Sequence, residues 1–234
     1  MALNITIHKT MLVQILKEIY SDASLGPILG FKGGSAALLF YDLSRFSVDL
    51  DFDLLDADKE DYVFDRVHNI LMTYGTIKDA EKKQFNLFFL LSYTNKIRGA
   101  QNVKIEINRR NFGSAYHVKP YLGIPMKVMI REDMAAHKMT AMVDRIGEAN
   151  RDIFDVWFFL KNLWPINTAI VEERTNMKFN DFLMKCIELL EKLDNRYILS
   201  GLGELLDEKQ KAWVKSKLRT DTIFLLKARL ESEK

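Results

Sequence analysis

The chain has 234 residues, of which 48% are hydrophobic and 28% charged, with a formal net charge of +2 and a single cysteine. This length suits one large or two small globular domains that fold without a structural metal. One cysteine excludes an internal disulfide, and the near-neutral balance excludes a global attraction to nucleic acid, so such a partner would need a local basic patch.

In chain order, Lys9 to Tyr20 carries helical apolar spacing through Met11, Leu12, Ile15, Leu16 and Ile19. The start, Met1 to Lys9, lacks the apolar run of a secretory signal. After turn residues from Ser21 to Pro27, Ile28 to Phe31 reads as a short buried strand, Gly33-Gly34 breaks it, and Ser35 to Tyr41 opens a helix. Ser47 to Leu54 alternates strictly, with Val48, Leu50, Phe52 and Leu54 on one face and Ser47, Asp49, Asp51 and Asp53 on the other. Lys59 to Tyr74 is an amphipathic helix. Phe85 to Tyr93, too short to span a bilayer, and Asn102 to Arg109 are strands, with a hairpin expected over Thr94 to Gly99. Pro125 to Ile130 is one more short strand. Beyond it the spacing predicts helices over Glu132 to Arg145, Arg151 to Leu163, Phe179 to Leu193, Lys209 to Leu218 and Thr222 to Leu230. Cys186 falls in an apolar helical pattern and is expected to be a buried, inert thiol. The pattern defines an α+β (α/β) chain: a mixed-sheet domain over residues 1–130 with flanking helices, then a helical domain over 131–234.

Asp49 and Asp51 share a strand face, with Cα atoms roughly 6.6–6.8 Å apart. Two carboxylates at that spacing can converge on Mg²⁺. The alternative is a solvated acidic edge, against which stands the fully apolar opposite face. Asp53 reads equally as a solvated strand-end acid or a ligand. Gly33-Gly34 admits a phosphate close to the backbone, at a helix N-terminus with the Ser35 hydroxyl as a further donor; a bare helix cap is the alternative. In Val103-Lys104-Ile105-Glu106-Ile107-Asn108, Val103, Ile105 and Ile107 face the core. If this strand lies beside Ser47 to Leu54, Glu106 joins the two aspartates; otherwise it makes a cross-strand salt bridge. Arg98, Lys104, Arg109 and Arg110 form a candidate basic patch for RNA, or a solvated hairpin. Lys138 lies mid-helix, as a phosphate contact or a snorkelling surface lysine. Asp152 and Asp155 share a face of a largely apolar helix, where an acid needs a partner; Lys138 is the candidate partner of Asp155. His137 is rotated away from Lys138 and carries no expected role.

Together these stretches resemble the AbiEii/AbiGii toxin family of nucleotidyltransferase-like proteins and the related MenT group. The matching segments are Phe31-Lys32-Gly33-Gly34-Ser35-Ala36-Ala37-Leu38, Leu43-Ser44-Arg45-Phe46-Ser47-Val48-Asp49-Leu50-Asp51-Phe52, Val103 to Asn108, Arg131 to Lys138 and Arg151 to Asp155. The resemblance implies a nucleotidyltransferase-like fold and transfer of a nucleoside monophosphate from an NTP to an acceptor such as the 3′ end of tRNA. It implies Mg²⁺, or Mn²⁺, held by Asp49, Asp51 and Glu106. It implies catalytic roles for these three with Lys138 and Asp155, and nucleotide binding by Gly33, Gly34, Ser35, Arg45 and Lys138. A cognate antitoxin and a cytoplasmic location also follow, with no membrane. Ser35 would be a point of control if a phosphoryl group there fills the anion site; the alternative is that it is simply a helix cap. The gap of fourteen positions from Ser35 to Asp49 is longer than in minimal nucleotidyltransferases and suits the toxins. The competing expectation is an NTP-binding module of the same fold that acts through protein contacts without transfer.

Overall fold

Strands β1 (Leu29–Lys32) and β2 (Leu50–Leu54) run antiparallel near the middle of a seven-stranded mixed sheet in the computed structural model, which describes residues 4–95 and 99–232. The others are β3 (Thr76–Lys82), β4 (Asn86–Asn95), β5 (Gly99–Asn108), β6 (Tyr116–Tyr121) and β7 (Ile124–Met129), in the order β3-β4-β5-β2-β1-β7-β6. β2 lies parallel to β5, and β1 parallel to β7. The alternation written in the sequence fixes which side is apolar: Leu50, Phe52, Leu87, Phe89, Leu91, Ile105 and Ile107 are fully enclosed. Helix α1 (Ile5–Ser21) begins at Asn4, whose side chain accepts the Ile7 N–H, and buries Leu12, Ile15, Leu16 and Ile19. Its Tyr20 reaches the Phe52 ring at 6.3 Å and donates to the Leu29 carbonyl at 3.0 Å. Helix α3 (Glu60–Met72) sets Phe64 against Phe89 at 4.9 Å. The apolar face of the sheet therefore lies under α1 and α3, and Asp51 and Glu106 project from the other face.

Two compact units emerge. The first comprises residues up to Asp42, Phe46–Asn111 and Ala115–Met129. The second comprises Ile130 onward together with two short excursions, Leu43–Arg45 and Phe112–Ser114. In the second unit, α4 (Arg131–Arg145), α5 (Arg151–Lys161), α6 (Thr168–Thr175) and α7 (Phe179–Lys192) precede a continuous helical run. That run is α8 (Glu208–Trp213), a π-helical turn over Val214–Leu218, and α9 (Arg219–Ser232), so the two separate helices expected after Lys209 are one. α5 packs against α4 and α9 and buries Ile153, Phe154, Val156 and Phe159. Cys186 on α7 is fully buried, and burial pushes its thiol up to about 12, as expected of an inert core cysteine.

Four elements differ from the sequence expectation. β3 and β6 are the edge strands, mostly exposed, and their polar faces hide the alternation that marks a strand. α6 is two turns long with little apolar periodicity. β2 begins at Leu50, so Ser47 to Asp49 precede the strand. The expected hairpin is present in that Asn95 pairs with Gly99; its tip, residues 96–98, lies outside the described residues. Among the described residues, no helix is long and apolar enough to cross a membrane.

Candidate active site

Asp51 is paired in register with Glu106 of β5 on one side and with Lys32 of β1 on the other. The two acidic strands are thus neighbours, as the alternation required for Glu106 to join the aspartates. Helix α2 (Gly33–Phe40) starts beside them, with no side-chain cap on its first N–H groups. Gly33 has φ +77°, and a Cβ there would collide with the Asp51 carboxylate. Glycine is therefore required twice over, for the left-handed turn and for the close approach. The result is a carboxylate held against the positive end of a helix.

The segment leading into β2 is pinned from behind. The Asp49 carbonyl accepts the Ser35 hydroxyl, and the Val48 carbonyl bonds His8 Nε2 at 2.9 Å. His8 is fully buried, with Nδ1 at 2.7 Å from the Tyr93 hydroxyl. Burial lowers its pKa, against the Val48 bond and the Asp49 charge, both of which favour the protonated ring. Ser35 is 1% exposed. Its one hydroxyl proton is committed to Asp49, which corrects the expectation of a phosphate donor and of an accessible point of modification. The backbone N–H groups at the start of α2 carry the anion-binding capacity instead.

The charges around the acids are specific. Lys104 Nζ lies 2.8 Å from Glu106 Oε2 and 3.6 Å from Asp49 Oδ2. Asn86 Nδ2 donates to Glu106 Oε1 at 2.8 Å. Burial works against the charged ammonium, but Asp49, Asp51 and Glu106 hold its pKa above the ordinary lysine value. Asp53 is neither solvated nor open as a ligand. It is 7% exposed and receives Lys32 Nζ at 2.5 Å, Asn108 Nδ2 at 2.7 Å and the Tyr116 hydroxyl at 2.5 Å. Arg109 bonds Glu60 at 2.6 Å and the Lys83 carbonyl. With Lys104 and Arg109 committed to acids, the expected basic patch is not assembled from them; Arg110 lies 5.0 Å over Phe85, and Arg98 lies outside the described residues.

Among the described residues, no group of three or more His, Cys, Asp or Glu side chains is gathered to hold a metal. Both Glu106 oxygens have partners, Oε1 in Asn86 and Oε2 in Lys104. Asp49 and Asp51, both partly exposed, carry hard oxygen donors two positions apart, Asp49 just ahead of β2 and Asp51 within it. The Lys104 ammonium lies 3.6 Å from Asp49 Oδ2. Mg²⁺ typically takes one or two protein carboxylates and completes its shell with water and substrate oxygens, so the donor set fits.

The second unit contains a buried ionic cluster. Arg45 forks onto Asp155, Nε to Oδ1 at 2.6 Å and Nη2 to Oδ2 at 2.6 Å, with the side chains 1% and 0% exposed. This corrects its expected place in nucleotide binding: the guanidinium is inside, holding a carboxylate. Lys138 Nζ lies 2.9 Å from both Asp152 Oδ1 and Asp155 Oδ2, so the pairing expected with Asp155 is present, and Asp152 shares it. Arg145 Nη2 lies 2.6 Å from Asp152 Oδ2. Burial opposes both charged forms, but the two aspartates hold the Lys138 pKa up, and Arg45 with Lys138 holds the Asp155 pKa down. His137 is less bland than expected. Arg174 Nη1 donates to its Nδ1 at 2.7 Å, so Nε2–H faces the Ser114 hydroxyl at 2.7 Å. Among residues the sequence reading missed, His8 gave no signal, being a lone histidine at a helix start. Lys104 was read for a basic patch, although its place two positions before Glu106, on the same strand face, already signals the ion pair.

A mixed sheet with paired acids beside a glycine-started helix is the arrangement of a nucleotidyltransferase-like fold. Solved structures share the fold: a protein from H. pylori described as a candidate nucleotidyltransferase aligns at 22% identity and TM-score 0.62, covering 100% of this chain and 99% of that one. JHP933 from Helicobacter pylori aligns at 21% and 0.58, covering 100% and 98%. MenT4, a nucleotidyltransferase toxin from Mycobacterium tuberculosis H37Rv, aligns at 14% and 0.50, covering 93% and 92%. At these identities the likeness is one of fold. No match is found among curated protein sequences. The family profile described as nucleotidyl transferase AbiEii toxin, type IV TA system, matches residues 14–220. The chain belongs to this family of toxin–antitoxin nucleotidyltransferases.

Proposed function

We propose that the chain transfers a nucleoside monophosphate from an NTP to an RNA acceptor, such as a tRNA 3′ end, using Mg²⁺ or Mn²⁺ at Asp49 and Asp51. The observation that carries this reading is the placement of Asp51 against Gly33, with Asp49 two positions earlier in the chain and the uncapped start of α2 alongside. Backbone N–H groups of Gly33, Gly34 and Ser35 are suited to bind the triphosphate, because helix N-termini favour anions. Asp49 and Asp51 would hold the metal, while Ser35 and His8 fix the main chain that presents Asp49. A divalent cation bound there supplies Lewis-acid stabilisation of phosphate oxygens and lowers the pKa of an attacking hydroxyl. Glu106 lends negative charge beside the pair and orients Lys104.

In the helical unit, Lys138 is the proposed phosphate contact. There Arg45 and Lys138 meet Asp155, and Lys138 and Arg145 meet Asp152. Asp155 acts as a positioning residue that steadies Lys138. The toxin–antitoxin family makes a cognate antitoxin the expected protein partner. Calorimetry with non-hydrolysable NTP analogues tests the reading. Binding should require Mg²⁺ and weaken in Asp51→Asn and in Lys138→Ala. Binding that ignores both the metal and Asp51 would remove this site from contention.

A further inference from the structure

Two carboxylates beside the β2–β5 pair, Glu106 and Asp49, already share a cation. Lys104 lies two residues from Glu106, and its ammonium is 2.8 Å from that carboxylate and 3.6 Å from Asp49. Its side chain is 29% exposed, so it has a path to leave. Other nearby positive side chains are fixed elsewhere: Lys32 on Asp53, Arg109 on Glu60. Without a positive charge, Asp49, Asp51 and Glu106 would repel one another across adjacent strands, which is costly in a partly desolvated setting.

We propose that Lys104 is a resident counter-cation that holds the acid cluster together before the metal arrives and competes with a divalent cation for it. This rests on the proposed metal site at Asp49 and Asp51. An ammonium and a divalent cation a few ångströms apart repel strongly at the dielectric of a half-buried site. Metal entry therefore requires Lys104 to swing out, and the resting protein holds metal weakly. Once displaced, the side chain stays tethered beside the acids and is free to meet an anionic substrate, so nucleotide and metal favour each other's binding.

The test is Mn²⁺ binding to the full-length chain, with no nucleotide present, followed by electron paramagnetic resonance. Wild type, Lys104→Met, Lys104→Gln, Lys104→Arg and Lys104→Met combined with Asp51→Asn are compared. Lys104→Met should bind Mn²⁺ on the order of tenfold tighter than wild type, Lys104→Arg should remain near wild type, and the double variant should lose the gain. Without metal, Lys104→Met should melt below wild type, and Mn²⁺ should raise its melting temperature more than that of wild type. Lys104→Gln should follow Lys104→Met and serves if methionine disturbs folding. Asp51-dependent binding that is unchanged or weaker in both neutral variants overturns the competition while leaving the metal site standing. Absence of any Asp51-dependent binding, in wild type and variants alike, overturns both.

Discussion

Ser35 donates its hydroxyl to the main-chain carbonyl of Asp49, fourteen positions later in the chain. The bond joins the first turn of α2, which offers anion-binding N–H groups, to the residue just ahead of the acidic strand. It makes Ser35 a positioning residue. Ser35→Ala should lower stability by about 1–2 kcal/mol, the cost of leaving a buried carbonyl without its donor. Ser35→Glu should be much worse, because a charged, larger side chain has no room at a fully packed position. Chemical denaturation of both variants checks this. A Ser35→Glu protein as stable as wild type would place the hydroxyl on the surface.

Arg45 and Asp155 form a two-point fork with neither side chain open to solvent. Breaking a buried pair from one side strands a charge, so Arg45→Met should cost about 3–5 kcal/mol. Arg45→Met combined with Asp155→Leu should cost clearly less than the sum of the two single changes, since the stranded charge is gone. Urea melts of the four proteins supply the cycle. Additive costs, or an Arg45→Met variant within about 0.5 kcal/mol of wild type, would contradict the fork.

His8 sets a pH dependence on the loop that presents Asp49. Its pKa is lowered from 6.5 by burial, so the folded protein keeps the ring neutral where the unfolded chain protonates it. The unfolded state then binds more protons, and stability rises with pH across that window. The His8 contribution is thus fully present above about pH 6.5 and is lost as pH falls below it. Replacing His8 with Gln should flatten the fall in melting temperature between pH 7.5 and 5.5, whatever its effect at neutral pH. Parallel curves for the two proteins would show that His8 does not titrate on unfolding.

Strict alternation in β2 and β5 made the sheet centre, its apolar face and the Asp51–Glu106 neighbourhood legible, because a period of two fixes the face of every residue. The same reasoning failed for β3 and β6, whose exposed positions need no apolar pattern. It also failed for Arg45 and Lys104. A charged residue in sequence reads as solvated or ligand-binding, and only the fold shows whether an acid from elsewhere meets it. Arg45 meets Asp155 from 110 positions away. Ser35 misled for a related reason: a hydroxyl after two glycines suggests a phosphate, but the chain reversal after α2 brings a carbonyl to it first.

The central claim is that Asp49 and Asp51 direct transfer of a nucleotide to RNA. It is tested by incubating the protein with each NTP labelled at the α-phosphate, total RNA and Mg²⁺, and measuring label on RNA 3′ ends. Label is expected from at least one NTP, abolished by chelating the metal and reduced by at least about a hundredfold in Asp51→Asn, the scale expected when transition-state charge stabilisation is removed. Labelling that proceeds equally well in Asp51→Asn would contradict it.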